Sequence, residues 1–311
     1  MIERHHLSRQ EFLISRILAL VAFILWIQPA VGQDLEPRRW TPVPAGVNVV
    51  GAGYVALQGD VYFDPVLEVR DAEVSGHVLG VSYVRSFAIG NKLARFDAKV
   101  PWQNMRWSGL LDGAPASAER VGLADPIVRM SVILAGASAD KNAANDGKSS
   151  STVFGVAIAV SLPLGEYHND KLINLGLNRG YVRPQLGVLH TRGRWSYELT
   201  GSTFIFEDND DFFGGSTLQQ EPLYAIQGHV IRVFDKPGYW AALSTGYGWK
   251  GESTIDGVRA DDSQKLWLSS LAFGMPTGSN HGVKFAYLRN RTKTDKGADI
   301  DSLAIAWSYR F

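Results

Sequence analysis

Ser279, Asn280 and His281 stand side by side and bring together a hydroxyl, an amide and an imidazole, the groups used in acyl transfer. That chemistry needs a nucleophile–base hydrogen bond of about 2.6–3.2 Å. Consecutive residues in a tight turn point apart, so the cluster reads as a polar turn and no catalytic residue is assigned. The chain contains no G-x-S-x-G elbow, H-E-x-x-H pair, Walker loop, or G-x-G-x-x-G after a strand. Glu207–Asp211 is acidic, but Phe212 falls where the calcium-hand spacing requires a ligand. The default there is a solvated loop, with a weak divalent-ion bridge to lipopolysaccharide as the alternative. His168, His190, His229 and His281 have no mutual metal-ligand spacing. The absence of cysteine excludes disulfides, thiolate sites and thiol nucleophiles. No metal and no cofactor is expected.

A second constellation is made of charges spaced by two. Arg95, Asp97 and Lys99 alternate with Ala94, Phe96, Ala98, Val100 and Trp102. In an extended strand these sets face opposite ways. Arg129 opposes Val128, Met130 and Val132; Arg183 and Gln185 mark another polar face. Glu198 opposes Tyr197 and Leu199, Gln227 and His229 oppose Tyr224, Ile226 and Val230, and Lys284 points inward from a later segment. A charge at the lipid-facing midplane of a membrane barrel costs about 2–4 kcal/mol, so these faces mark an interior. Either they line a polar conduit, or they pair off and fill it, since buried charges need partners. Their mixed sign argues against strong ion selectivity. For His229 a hydrogen bond in the lumen is expected.

Twelve such segments position these residues. They begin near Val47–Gln58 and continue through His77–Phe87, Lys92–Trp102, Ile127–Leu134, Thr152–Leu162, Tyr181–Thr191 and Trp195–Ile205. A segment around Tyr224–Val230, then Tyr239–Trp249, Lys265–Met275, Gly282–Asn290 and Ser302–Phe311 complete the set. The last places Leu303, Ile305, Trp307, Tyr309 and Phe311 on one face. Tight links such as Ala88–Asn91 and Arg192–Arg194 alternate with long polar ones, among them Ser108–Gly122 and Gly251–Ser263. Short periplasmic turns, long outer loops and an even strand count describe an all-β, transmembrane, antiparallel up-and-down β-barrel of about 12 strands. Gly136–Ser151 departs from the rule and is expected to be a flexible periplasmic insertion, the alternative being that the strand count is off by a hairpin. A secreted β-sandwich explains the aromatic strand ends less well, and no propeller-like repeat is visible. Tyr309 and the terminal Phe311 resemble the closing-strand signal read by the barrel-assembly machinery.

Bulk composition agrees. The 311 residues carry 31 basic and 31 acidic side chains, leaving no field for nucleic acid. Apolar residues make up 45%, as suits strands with one polar face. Arg4, Arg9 and Arg16 precede the apolar run Ile17–Ile27, then Pro29 and the small-x-small Ala30-Val31-Gly32. The run is shorter than the roughly 20 residues a helical span needs; residues 1–32 read as a cleaved signal peptide. Residues 33–46, rich in proline, are a periplasmic lead-in or a short plug, and 47–311 form the barrel.

Gly165–Gly180 is unusually apolar for an exposed loop. Lys171, Leu172, Ile173, Asn174 and Leu175 are its candidate constriction; the segment either folds inward to narrow the pore or packs on neighbouring loops.

Several stretches look familiar as a set: Arg95-Phe96-Asp97 with Val100-Pro101, Arg106-Trp107-Ser108-Gly109, and Ala124-Asp125-Pro126. Ser161-Leu162-Pro163-Leu164-Gly165-Glu166-Tyr167, Asp170–Asn174 and Asn209–Gly215 follow. Together they resemble the outer-membrane transporter family of the MetA pathway of phenol degradation, over nearly the whole mature chain. The resemblance implies an outer-membrane channel for passive uptake of small aromatic or hydrophobic compounds. Its expected partners are outer-membrane lipid, lipopolysaccharide, the barrel-assembly machinery and a small-molecule substrate. A lipid-modifying enzyme and a plugged structural barrel are the competing readings.

Overall fold

The computed structural model describes residues 35–63, 69–139, 150–171 and 173–311. The signal-peptide expectation, Leu172, and most of the Gly136–Ser151 insertion lie outside the described residues.

Seventeen strands follow in order: β1 (Asn48–Tyr62), β2 (Val69–Ile89), β3 (Lys92–Leu111), β4 (Ala114–Leu123), β5 (Ile127–Ala135), β6 (Ser150–Ser161), β7 (Tyr181–Arg192), β8 (Trp195–Phe206), β9 (Asn209–Phe212), β10 (Ser216–Gln220), β11 (Leu223–Val233), β12 (Trp240–Lys250), β13 (Ser253–Ile255), β14 (Val258–Arg259), β15 (Gln264–Pro276), β16 (His281–Thr292) and β17 (Gly297–Arg310). Twelve of them pair antiparallel in a closed ring, β1-β2-β3-β5-β6-β7-β8-β11-β12-β15-β16-β17, with β17 returning to β1. The seam runs from Val49 opposite Arg310 to Tyr62 opposite Gly297. Asn48 and Phe311 extend it by exchanging backbone hydrogen bonds of 3.0 and 2.9 Å. Closure leaves the ring without an unpaired edge, the condition for strands to cross a bilayer.

The alternation holds across the ring strands except at the outer ends of β1, β2 and β3, where apolar side chains turn inward. Leu303, Ile305 and Trp307 face outward and are exposed, as are Val100, Trp102, Met130, Ile158, Tyr197 and Leu199. Asp97, Arg129, Arg183, Gln185, Glu198, Gln227 and His229 face inward and are buried. Two-residue turns join β2 to β3 and β7 to β8, with Gly90 and Gly193 at φ of 57° and 58°. A side chain there would collide with its own backbone, so glycine sets these hairpins.

The outer end is more ordered than the sequence suggests. Ser108–Gly122 is not a loop: β3 runs on to Leu111 and turns into β4 as a hairpin standing above the ring. Its inward Met105 and Trp107 have apolar partners in Leu57, Val61 and Val74, so extension buries them. Asp208–Glu221 and Gly251–Ser263 likewise fold, as a four-stranded sheet of β9, β10, β13 and β14 around Phe212, Leu218 and Ile255. At this end β1 turns Leu57 and Val61 inward, while Tyr54 is exposed outside.

Candidate functional site

The inward charges converge on the segment that precedes β1. Arg38 adopts a left-handed backbone, φ 68°, which turns three successive N–H groups toward one point, a nest for an anion. Glu198 of β8 occupies it. Its Oε2 accepts the N–H of Arg38 at 2.7 Å and of Arg39 at 3.2 Å, and its Oε1 accepts that of Trp40 at 3.0 Å. The Trp40 indole donates to Thr200 Oγ1 at 2.8 Å. Its ring lies over Gly155 and Gly187 and packs with Leu93, Ile133, Val153, Ala157 and Leu189.

A charged layer lies beside it. Arg39 donates to both oxygens of Asp97, at 3.2 and 3.0 Å, and to Ser131 Oγ at 3.1 Å. Arg95 pairs with Asp97 at 3.0 Å and donates to the Arg39 carbonyl. Glu36 takes Arg129 at 2.6 Å and Lys99. Burial alone would raise the Glu36 carboxyl, but Arg129 and Lys99 outweigh it and hold the group well below the usual carboxylate range. Arg95, Asp97, Lys99, Arg129 and Glu198 thus meet around residues 36–40. Between Asp97, Arg129, Tyr181 and Arg183 remains a cavity of about 20 Å³, room for about one water.

Toward the outer mouth the wall changes character. Tyr181, Phe204 and Phe206 pack ring on ring at 5.4–6.4 Å. Arg183 lies over Phe204 at 4.3 Å and Arg179 over Phe206 at 5.0 Å. Nε and Nη1 of buried Arg179 have no hydrogen-bond partner; burial lowers its guanidinium to about 10. Gln185 and Gln227 lie nearby on the inward face. His229 sits between Glu198 and Ser244 in strand register, its Nδ1 without a partner, so the expected lumen hydrogen bond is not seen at that nitrogen. Lys284 is half-buried on the inward face of β16.

The Gly165–Gly180 segment lies within the mouth and also against its neighbours. Leu175 and Ile173 pack on inward Leu57, Val74, Met105 and Trp107. Asn174 closes the turn, donating to the carbonyls of His168 and Lys171 and accepting the His168 N–H. Asp125 clamps the base, accepting N–H from Gly165 and Leu177, both at 2.8 Å. Asn209 of β9 donates to the Leu177 carbonyl and to Tyr167 Oη.

Glu36, Ser131, Asp125 and Arg179 were not legible as site residues. The small inward face Val153, Gly155, Ala157, Ala159, next to Gly187, carried the available signal, a recess awaiting a large side chain. Ser279 and Asn280 lie in the link before β16 and His281 opens that strand, its ring stacked on Trp307 at 5.7 Å and tilted against Tyr309 at 4.9 Å. Among the described residues no group of three or more His, Asp or Glu could hold a metal.

Comparison with known proteins gives the relationship. A search of curated proteins found no match. Among solved structures, the COG4313 outer membrane channel from Pseudomonas putida F1 superposes with a TM-score of 0.75 at 19% identity, covering 89% of this chain and 100% of that one. The transport unit of the autotransporter AIDA-I from Escherichia coli superposes at 0.51 and 10% identity, covering 98% and 100%. These likenesses show the fold, an outer-membrane β-barrel. The family model "Putative MetA-pathway of phenol degradation" matches residues 50–298, and the chain belongs to that family.

Proposed function

We propose that the barrel is a passive channel that admits small aromatic compounds across the outer membrane, with anionic ones preferred. The observation that carries this reading is the ledge of Tyr181, Phe204 and Phe206 with Arg183 and Arg179 over their faces. Tyr181 and Phe204 are themselves buried, so they act by holding the two guanidinium groups in the wall, and these attract a carboxylate or phenolate. Family membership, with its link to phenol degradation, points the same way. Cations around residues 36–40 (Arg38, Arg39, Arg95, Lys99, Arg129) outnumber the carboxylates there (Glu36, Asp97, Glu198), which favours anions over cations. The reading assigns the chain no chemical step and no cofactor, since a concentration gradient supplies the driving force. Lys171, Ile173, Asn174 and Leu175 act as the constriction of the mouth, and the barrel-assembly machinery and lipopolysaccharide are its partners in the envelope.

The second reading is a closed barrel, favoured by the seating of residues 36–40 across the lumen, held by Asp97, Arg129 and Glu198. Planar-bilayer conductance with liposome uptake of benzoate, phenol and anilinium separates the two. Uptake falling in that order supports the channel. No conductance and no uptake, in wild type and in Trp40→Ala alike, overturns it.

A further inference from the structure

The outer rim carries a site unrelated to the lumen. Tyr224 of β11 pairs with Trp249 of β12, and Trp249 with Lys265 of β15, so the three form a lateral row on the lipid-facing side. The next row down holds Ile226, Tyr247 and Trp267. Tyr224 and Trp249 stack at 5.6 Å, and Tyr247 packs on Trp249 at 6.0 Å and Trp267 at 6.2 Å. Such an aromatic patch belongs at the boundary between acyl chains and head groups.

Above the stack opens a cavity of about 260 Å³, lined by Pro222, Tyr224, Trp249, Gln264, Lys265 and Thr294 among others. Lys293 leaves the chain beside it: its backbone N–H donates to the Lys265 carbonyl at 2.8 Å. Both lysines are exposed, and neither makes an ion pair among the described residues. Other cations of this rim are committed. Arg259 holds Glu252 and Glu221, Lys250 holds Asp262, and Arg291 holds Asp301. Glu221, the carboxylate on the cavity edge, is held by Arg259 and by the Glu252 N–H. Like charges on neighbouring strands destabilise each other unless an anion lies between them. The outer leaflet, at the level of the stacked rings, is where that anion is available.

We propose that this cavity binds the phosphorylated head group of an outer-leaflet glycolipid. Lys265 and Lys293 hold the phosphate, the Tyr224–Trp249 pair takes the sugar face, and the acyl chains run down over Trp267. The test uses full-length protein in phosphatidylcholine nanodiscs doped with diphosphoryl lipid A or its dephosphorylated counterpart, with chelator present. Retained glycolipid is read by native mass spectrometry, and heat-modifiable gel mobility checks that each variant is folded. Wild type should retain the diphosphoryl form preferentially. A double substitution K265Q/K293Q should weaken that retention about 30-fold, roughly 2 kcal/mol, at about 1 kcal/mol for each basic residue near a membrane surface. It should leave the dephosphorylated lipid unaffected, whereas Trp249→Ala lowers both. Equal retention of the two lipids by wild type, unchanged retention by K265Q/K293Q, or displacement by millimolar inorganic phosphate would each overturn the proposal. Channel conductance does not enter the readout, so the outcome is independent of the transport reading.

Discussion

Trp40 lies over Gly187 so closely that a Cβ on the glycine would collide with the indole. The absent side chain on β7 is what seats the segment before β1. Gly187→Val should therefore eject Trp40, and Trp40→Ala should remove the same anchor at a cost of about 3–5 kcal/mol. Both variants should conduct more than wild type in planar bilayers, with the ring of strands intact by circular dichroism.

Glu198 binds the segment by its backbone. Glu198→Ala leaves three N–H groups without their acceptor, at about 1–3 kcal/mol each. The segment should come loose, and trypsin should cut after Arg38 or Arg39. Wild type, whose Arg39 is buried, should resist at those bonds. Equal protection of the two proteins would show that the side-chain contacts suffice.

At the mouth, Asp125→Ala removes the acceptor shared by Gly165 and Leu177. Amide exchange at those two residues should accelerate by the equivalent of about 1–3 kcal/mol. Exchange in β5 and β6 should stay as in wild type.

Asp262 gives a pH signature in the outer sheet. Burial would raise its carboxyl, but the Lys250 ammonium and the hydrogen bonds from Ser253 outweigh that and hold it below the usual aspartate range. A depressed carboxylate stabilises the fold above its unfolded value and loses that contribution as pH falls through the folded one. Residues 251–263 should thus stay protease-resistant at neutral pH and become susceptible only in strong acid. Asp262→Asn should make them susceptible already at neutral pH.

Deleting Phe311 removes the residue that exchanges hydrogen bonds with Asn48, along with the terminal aromatic. The truncated chain should accumulate in the periplasm, by fractionation and immunoblot. Normal insertion would show that the Asn48–Phe311 pair is dispensable for closing the ring.

The ring was legible because lipid enforces a rule residue by residue: Arg95, Asp97 and Lys99 have one tolerable direction, and Phe96, Val100 and Trp102 the other. The existence of the twelve ring strands follows from that alternation, but the sidedness of β1 does not: its apolar Leu57 and Val61 are buried inside while Tyr54, Gln58 and Asp60 are exposed outside. The outer end was harder to read, because water and loops replace lipid there. β4 exposes Ala114–Ser117 on both faces and alternates only from Ala118 onward, so its first half carries no sidedness. Residues 36–40 have no regular structure, and their place depends on partners up to 160 positions away, such as Glu198 for Arg38. Alternation located the inward charges but could not pair them, since Arg39 reaches Asp97 across 58 positions.

The seam between β1 and β17 has a kinetic consequence. Val49 meets Arg310 and Tyr62 meets Gly297, so closure joins residues separated by most of the chain, the contact class that makes folding slow. Residues 36–40 lie just upstream of one side of that seam. Their partners Asp97 and Glu198 sit on β3 and β8, which are not neighbours in the ring, so the seat of this segment is complete only once the wall between those strands has formed. A short irregular stretch thus ties together strands that the sheet itself never pairs, and its hold depends on the curvature that closure imposes.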